Sequence, residues 1–360
     1  MKLDTYERGF YMSLCSKDEI ERIFDVKNEN DYLLKLRANA TIEHIRIHRV
    51  FLARMRAGKD DWSFESSFKY DVFEKYLNNL SDKDKEYVDS IASGLVFCND
   101  PNGRIINTPY GNIITLSESL KYFLYFMNLA FVNFNADVEI PDNVRFCALK
   151  IALRIMLKSE SLDFDIDPRG EVPEEIEQEL SRYIDDQMLF LIAHEYSHYF
   201  LGHMDNANLI DDVMHHAIED IDGKTPKYFT HGQQQELDAD VDAINRQDLS
   251  EPAVHRIVTA AIFFFAYIDI LKSVREQISP SFSIIKTHPD PTDRLENLVK
   301  YFEDKCEIDK ENINILLHSV ELIKDSLQED IATNFDSWEQ YGSIYLGEWR
   351  GKPLVDRVDY

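Results

Sequence analysis

The sequence predicts a mainly α-helical protein of the α+β class, with a small β-hairpin or sheet set among the helices. Three observations lead there. Apolar residues recur three and four apart over most of the 360 residues, as at Ile42, Ile45, Val50, Phe51 and Met55. Only 12 Gly and 11 Pro interrupt the chain, while 44% hydrophobic and 12% aromatic residues supply a sizeable core. One stretch, from Gly94 to Leu116, changes to a strand texture with turn residues between apolar runs.

In chain order, residues 1–90 read as an N-terminal helical region. Val96-Phe97-Cys98 then runs into the turn cluster Asn99-Asp100-Pro101-Asn102-Gly103. Arg104–Asn107 and Asn112–Thr115 flank Pro109-Tyr110-Gly111, which predicts a hairpin forming one wall of a cleft. Ser117 starts a helix as its N-cap, with Leu120 where a capping box would have Glu. Residues 159–175 are acidic, carry Pro168, Gly170 and Pro173, and read as a loop. A long helix is expected from Glu174 to His203, followed by a polar, irregular connector over 204–230. Further helices follow at about 232–248, 251–278, 291–304 and 309–330, and the last 30 residues read as a less regular arm. The division expected is 1–90, a central domain over 91–305 that holds the chemistry, and a C-terminal helix and tail over 306–360.

Two apolar runs, Tyr122–Phe134 and Ile257–Ile268, fall short of the roughly 20 residues a membrane span needs and read as core helices. With 39 basic against 66 acidic residues the net charge is −27, which repels nucleic-acid phosphates and anionic headgroups. No nucleic-acid partner and no stable membrane insertion are therefore expected. Cys15, Cys98, Cys147 and Cys306 are scattered without a CxxC pair, and Met1–Arg8 leads into no apolar segment of a secretory signal. Reduced thiols and a cytoplasmic location are the expectation.

The chemistry concentrates in His194-Glu195-Tyr196-Ser197-His198. Residues four apart on a helix stack on one face, so His194 and His198 point at a common spot, as two ligands of a tetrahedral zinc site must. Glu195, about 100° round the helix, comes beside the open coordination position as a general base. Leu189–Ala193 makes the entry to the motif apolar, and a buried Glu beside two buried His calls for a compensating cation.

Downstream, Glu236-Leu237-Asp238-Ala239-Asp240 again sets two carboxylates four apart. Glu236 is the expected third ligand, and Asp240 can accept the second ring N–H of a ligand histidine. The same residues also read as a solvated acidic face, and Glu219 competes for the ligand role. His203 continues the motif helix as a support residue behind the ligands. His288 precedes the N-cap pair Asp290-Pro291, and from such a loop an imidazole can donate to a developing oxyanion. Arg294 reads as a helix-face arginine paired with a carboxylate. His44 and His48 read as solvated residues on a helix, and His215-His216 as exposed in the connector.

These segments, HExxH followed by Gly202-His203, then Glu236-x-x-Ala239-Asp240, then His288-Pro289-x-Pro291-Thr292-x-Arg294, resemble the M48 family of metallopeptidases over roughly residues 185–300. That family comprises gluzincins and includes the CAAX prenyl proteases and the HtpX-like and Oma1-like enzymes. The resemblance implies a helical metallopeptidase domain with zinc on His194, His198 and Glu236, Glu195 as base and His288 steadying the transition state. A looser similarity, confined to HExxH, is to the Lit-type phage-exclusion peptidases, cytosolic proteins that cleave an intracellular target. The implied activity is zinc-dependent hydrolysis of an intracellular protein or peptide. Two other readings stay open. One is an interaction protein with a closed, structural zinc site. The other is a protease gated by the 204–230 connector or the tail until a regulatory partner displaces it.

Overall fold

Local capping chemistry sets the first helices. Ser16 Oγ accepts from the Glu19 amide at 3.2 Å while Glu19 accepts from the Ser16 amide at 2.8 Å, a capping box that starts α1 (Lys17–Phe24). Asn28 caps α2 (Glu29–Glu43) through the Asp31 amide. The apolar spacing through Ile42 and Ile45 carries across a break in the helix at His44. That residue leaves helical geometry (φ −114°, ψ 108°) and leads into α3 (Ile45–Ala57). His44 is therefore exposed at a junction, and His48 bonds to Ser13 Oγ at 2.8 Å. The region closes with α4 (Asp71–Asn78) and α5 (Asp82–Val88). This computed structural model describes residues 8–58, 62–98, 103–134, 136–206, 208–211, 227–279 and 289–351.

The strand texture forms β1 (Ala92–Val96), β2 (Gly103–Thr108) and β3 (Gly111–Ser117). β2 and β3 make the expected hairpin, with Gly111 at φ 135° after a two-residue turn, while β1 runs parallel to β3. α6 (Glu118–Phe131), α7 (Asp142–Met156) and α8 (Glu174–Phe200) follow. The connector proves more regular than its polarity implied. β4 (Asn208–Asp211) pairs with β5 (Lys227–Thr230), and β5 joins β2 through Ile106↔Tyr228, giving the strand order β1-β3-β2-β5-β4. Each new strand carries only two apolar residues, Leu209-Ile210 and Tyr228-Phe229, too few to stand out among polar flanks.

The remaining helices are α9 (Gln233–Asn245), α10 (Glu251–Ile278), α11 (Pro291–Phe302), α12 (Lys310–Asn334) and the single turn α13 (Asp336–Glu339). By length and composition α10 is long and apolar enough to cross a membrane, yet 67% of its apolar window is buried inside the fold. It packs against α8, α11 and α12 as a core helix. Asn128 interrupts the apolar face of α6 without penalty. It donates to Gln187 of α8 at 2.8 Å and accepts from Tyr267 of α10 at 2.9 Å, so three helices share one satisfied amide.

The C-terminal arm lies on the 159–171 loop, with Trp338 buried. Ser161 donates its amide to Gly342, Leu346 to Arg169, and Glu171 to Trp349 at 2.7 Å. Beneath it Glu160 accepts from both Arg154 (2.9 Å) and Arg169 (3.2 Å), a buried charge cluster that removal of one partner would leave uncompensated. Glu171 lies just before the N-terminus of α8, and at about 1.5 Å per residue the twenty positions to His194 span roughly 30 Å. The arm therefore docks at the end of α8 remote from the histidines, which removes Trp349 as a cover for them.

Candidate metal centre

The C-terminal third of α8 is buried and pinned. Tyr196 donates to Ser93 of β1 at 2.8 Å and packs its ring on Tyr76 of α4 at 4.9 Å. That contact fixes the rotation of α8 and turns His194 and His198 inward, to 7% and 1% exposure. Their Nε2 atoms stand 3.1 Å apart. α9 crosses α8 and buries Glu236, whose carboxylate oxygens lie 3.5 Å from His194 Nε2 and 3.6 Å from His198 Nε2. Donors around a tetrahedral zinc, with bonds of about 2.0–2.2 Å, stand roughly 3.3–3.5 Å apart. His194, His198 and Glu236 thus lie close enough to hold a metal ion.

One turn further along α9, Asp240 is fully buried with Oδ1 2.9 Å from His194 Nδ1. Arg294 of α11 grips the same carboxylate with two arms, Nε at 2.7 Å and Nη2 at 2.6 Å, and lays its guanidinium over Phe265. Nη1 of Arg294 is also 3.5 Å from Glu236. The result is a line of contact from Arg294 through Asp240 to the back of His194, which leaves Nε2 facing Glu236. Three carboxylates, Glu195, Glu236 and Asp240, face one guanidinium here. With His194 unprotonated, as a ligand must be, these described groups leave an excess of two negative charges for a divalent cation to neutralise, so the residues present fit one.

His203 does not continue the motif helix. α8 ends at Phe200, and Gly202 adopts a left-handed conformation (φ 68°) that turns the chain back. The turn brings Nδ1 of His203 to 2.9 Å from Nδ1 of His198, on the ring edge away from Glu236. His231, just before α9, stacks on His198 with ring centroids 3.7 Å apart. It offers a nitrogen near those of His198 and His203. Sequence reasoning passed over His231. Its only signal was a place immediately ahead of the helix that carries Glu236.

The two ligand-type histidines differ in proton affinity. For His194 burial pulls downward, but the hydrogen bonds and charges of Asp240 and Glu236 outweigh it and raise the imidazole to about 10. For His198 burial leads, with His194 and His231 adding to it, and the imidazole is held far below its ordinary value. A group raised in the folded state stabilises the fold fully below its ordinary value of 6.5, and that contribution is lost as pH climbs towards 10. A metal on His194 displaces that proton, so the loaded protein has none to lose there. Melting temperatures with and without chelator should diverge steadily from pH 6.5 to 9.5. A gap that stays constant or narrows would refute the coupling.

His288 lies outside the described residues, as do Glu219 and His215-His216. Asp290 occupies the N-cap position of α11, but its side chain caps nothing and pairs with Lys272 instead. No disulfide joins the four cysteines. The chain matches no protein-family model, no curated protein and no solved structure.

Proposed function

We propose that this chain is a zinc-dependent endopeptidase acting on an intracellular protein or peptide, as its resemblance to the M48 gluzincins implies. The observation that carries the reading is the spacing of 3.1, 3.5 and 3.6 Å among two imidazoles and a carboxylate, all buried. Such a mixed nitrogen and oxygen set suits zinc, and its three protein donors leave a fourth position for water or substrate. Bound there, zinc would lower the pKa of a coordinated water towards about 7 and draw charge from a carbonyl.

The chain's own groups do the rest. Glu195 is half-buried where both histidines are buried, as a base that meets incoming water must be. It takes a proton from the attacking water and returns it to the leaving amide nitrogen. Asp240, held by Arg294, keeps the His194 ring oriented and its Nε2 free of a proton when metal is bound. The resemblance assigns oxyanion stabilisation to His288.

A closed structural site is the second reading, and it needs a fourth protein ligand. Among the described residues, His203 is not placed to be one at this spot, because it meets His198 at Nδ1, across the ring from Nε2, while Glu219 lies outside them. That favours an open, catalytic position. Cleavage profiling of cell extracts with the zinc-loaded protein, against the Glu195→Gln variant, tests the proposal. Products common to both samples would overturn it.

A further inference from the structure

The first strand of the hairpin begins beside the proposed base. Gly103 opens β2, paired with Leu116 of β3. A Cβ at this position would stand 2.7 Å from Glu195 Oε1, 3.2 Å from Cδ and 3.4 Å from Cγ, and these are its three nearest neighbours. Real Cβ atoms essentially never approach an oxygen that closely, so something would have to move.

Backbone conformation does not account for the glycine. Its φ lies outside the positive range adopted by Gly111, Gly202, Gly347 and Gly351, so any L residue could occupy that backbone. The three atoms a Cβ would meet first all belong to the Glu195 side chain.

Neither backbone can readily retreat. β2 is tied to β3 over six registered pairs, from Gly103↔Leu116 to Thr108↔Gly111. α8 is held next to the site by the Tyr196–Ser93 hydrogen bond and the Tyr76 ring. The soft element is the Glu195 side chain. It also feels the charge of Arg294. A methyl group at 103 would therefore be converted into displacement of the carboxylate.

We infer that Gly103 is a positioning residue: its missing side chain lets the start of β2 serve as the stop against which the Glu195 carboxylate is set. The inference deepens the peptidase reading and rests on it for the consequence in catalysis, but the contact itself does not. A base must be held within about 0.5 Å of its working position, and a misplacement of roughly 1 Å can cost on the order of 10²-fold.

The test is Gly103→Ala in the full, zinc-loaded chain. Expected is a fall in kcat of roughly 10²-fold, with KM and zinc content as in wild type. A merely structural role would not split kcat from KM in this way. Asn107→Ala, at an exposed position near the far end of the same strand, should leave kcat unchanged. A second measurement needs neither activity nor metal. The melting temperature lost on Gly103→Ala should be recovered when the same change is made in a Glu195→Ala background, because the three nearest atoms are then gone. Equal losses in both backgrounds, or a wild-type kcat in Gly103→Ala, would overturn the inference. Should wild type cleave nothing while the melting cycle shows the coupling, the peptidase reading falls and the positioning contact stands.

Discussion

Glu195→Gln should bind zinc as wild type does and cleave about 10²–10⁴-fold more slowly. The replacement is isosteric, so it still fits against Gly103 and leaves His194, His198 and Glu236 untouched. What it removes is proton affinity at one place. An amide cannot accept a proton from the attacking water, nor hand one to a leaving nitrogen. Because the ligand geometry is preserved, the loss should fall on kcat, with KM nearly constant. Cleavage within a few-fold of wild type would dismiss Glu195 as the base. Loss of zinc together with activity would mean that Glu195 is part of the metal's own shell.

A comparably large effect is expected at Asp240, which is not one of the proposed ligands. The carboxylate accepts two hydrogen bonds from Arg294 and faces the back of His194. Asp240→Asn offers one acceptor oxygen where the guanidinium needs two. The Arg294 side chain, only 12% exposed, would be left facing Glu236 at 3.5 Å. Breaking a buried ion pair from one side costs about 3–5 kcal/mol. Losing an outer partner of a metal-ligand histidine costs roughly 10–100-fold in affinity. Both figures are measurable, by thermal melting and by competition with a chromophoric chelator. A variant with wild-type melting temperature and zinc affinity would show that the Arg294–Asp240–His194 line is dispensable.

What could be read from the chain beforehand follows from geometry local to one helix. The spacing of His194 with His198, and of Glu236 with Asp240, projects each pair onto one face whatever the fold. Which face of α8 would meet α9 was not local. It depends on Tyr196 reaching Ser93 and on the packing of α9, which no periodicity encodes. The same limit explains the errors. Gly202 was read as part of a motif, and only its left-handed conformation shows that it ends the helix and swings His203 back. His231 belongs to no repeating pattern, so its stack on His198 is visible only in three dimensions. Gly103 looked like one more turn residue, although its conformation is ordinary and its neighbour is what matters. The short strands β4 and β5 are hidden in a polar stretch because β5 gains its stability from β2, and β4 from β5, not from their own composition.

The central claim is that His194, His198 and Glu236 form one zinc site with an exchangeable fourth position. Metal analysis joined to X-ray absorption spectroscopy, on wild type and His198→Ala, tests it most directly. The prediction is one zinc per chain in wild type, with a nitrogen and oxygen shell, no sulfur, and one ligand that anions can replace. His198→Ala should lose that zinc. A wild-type protein that holds no stoichiometric metal after exposure to zinc would contradict the account, as would an unchanged spectrum in the variant.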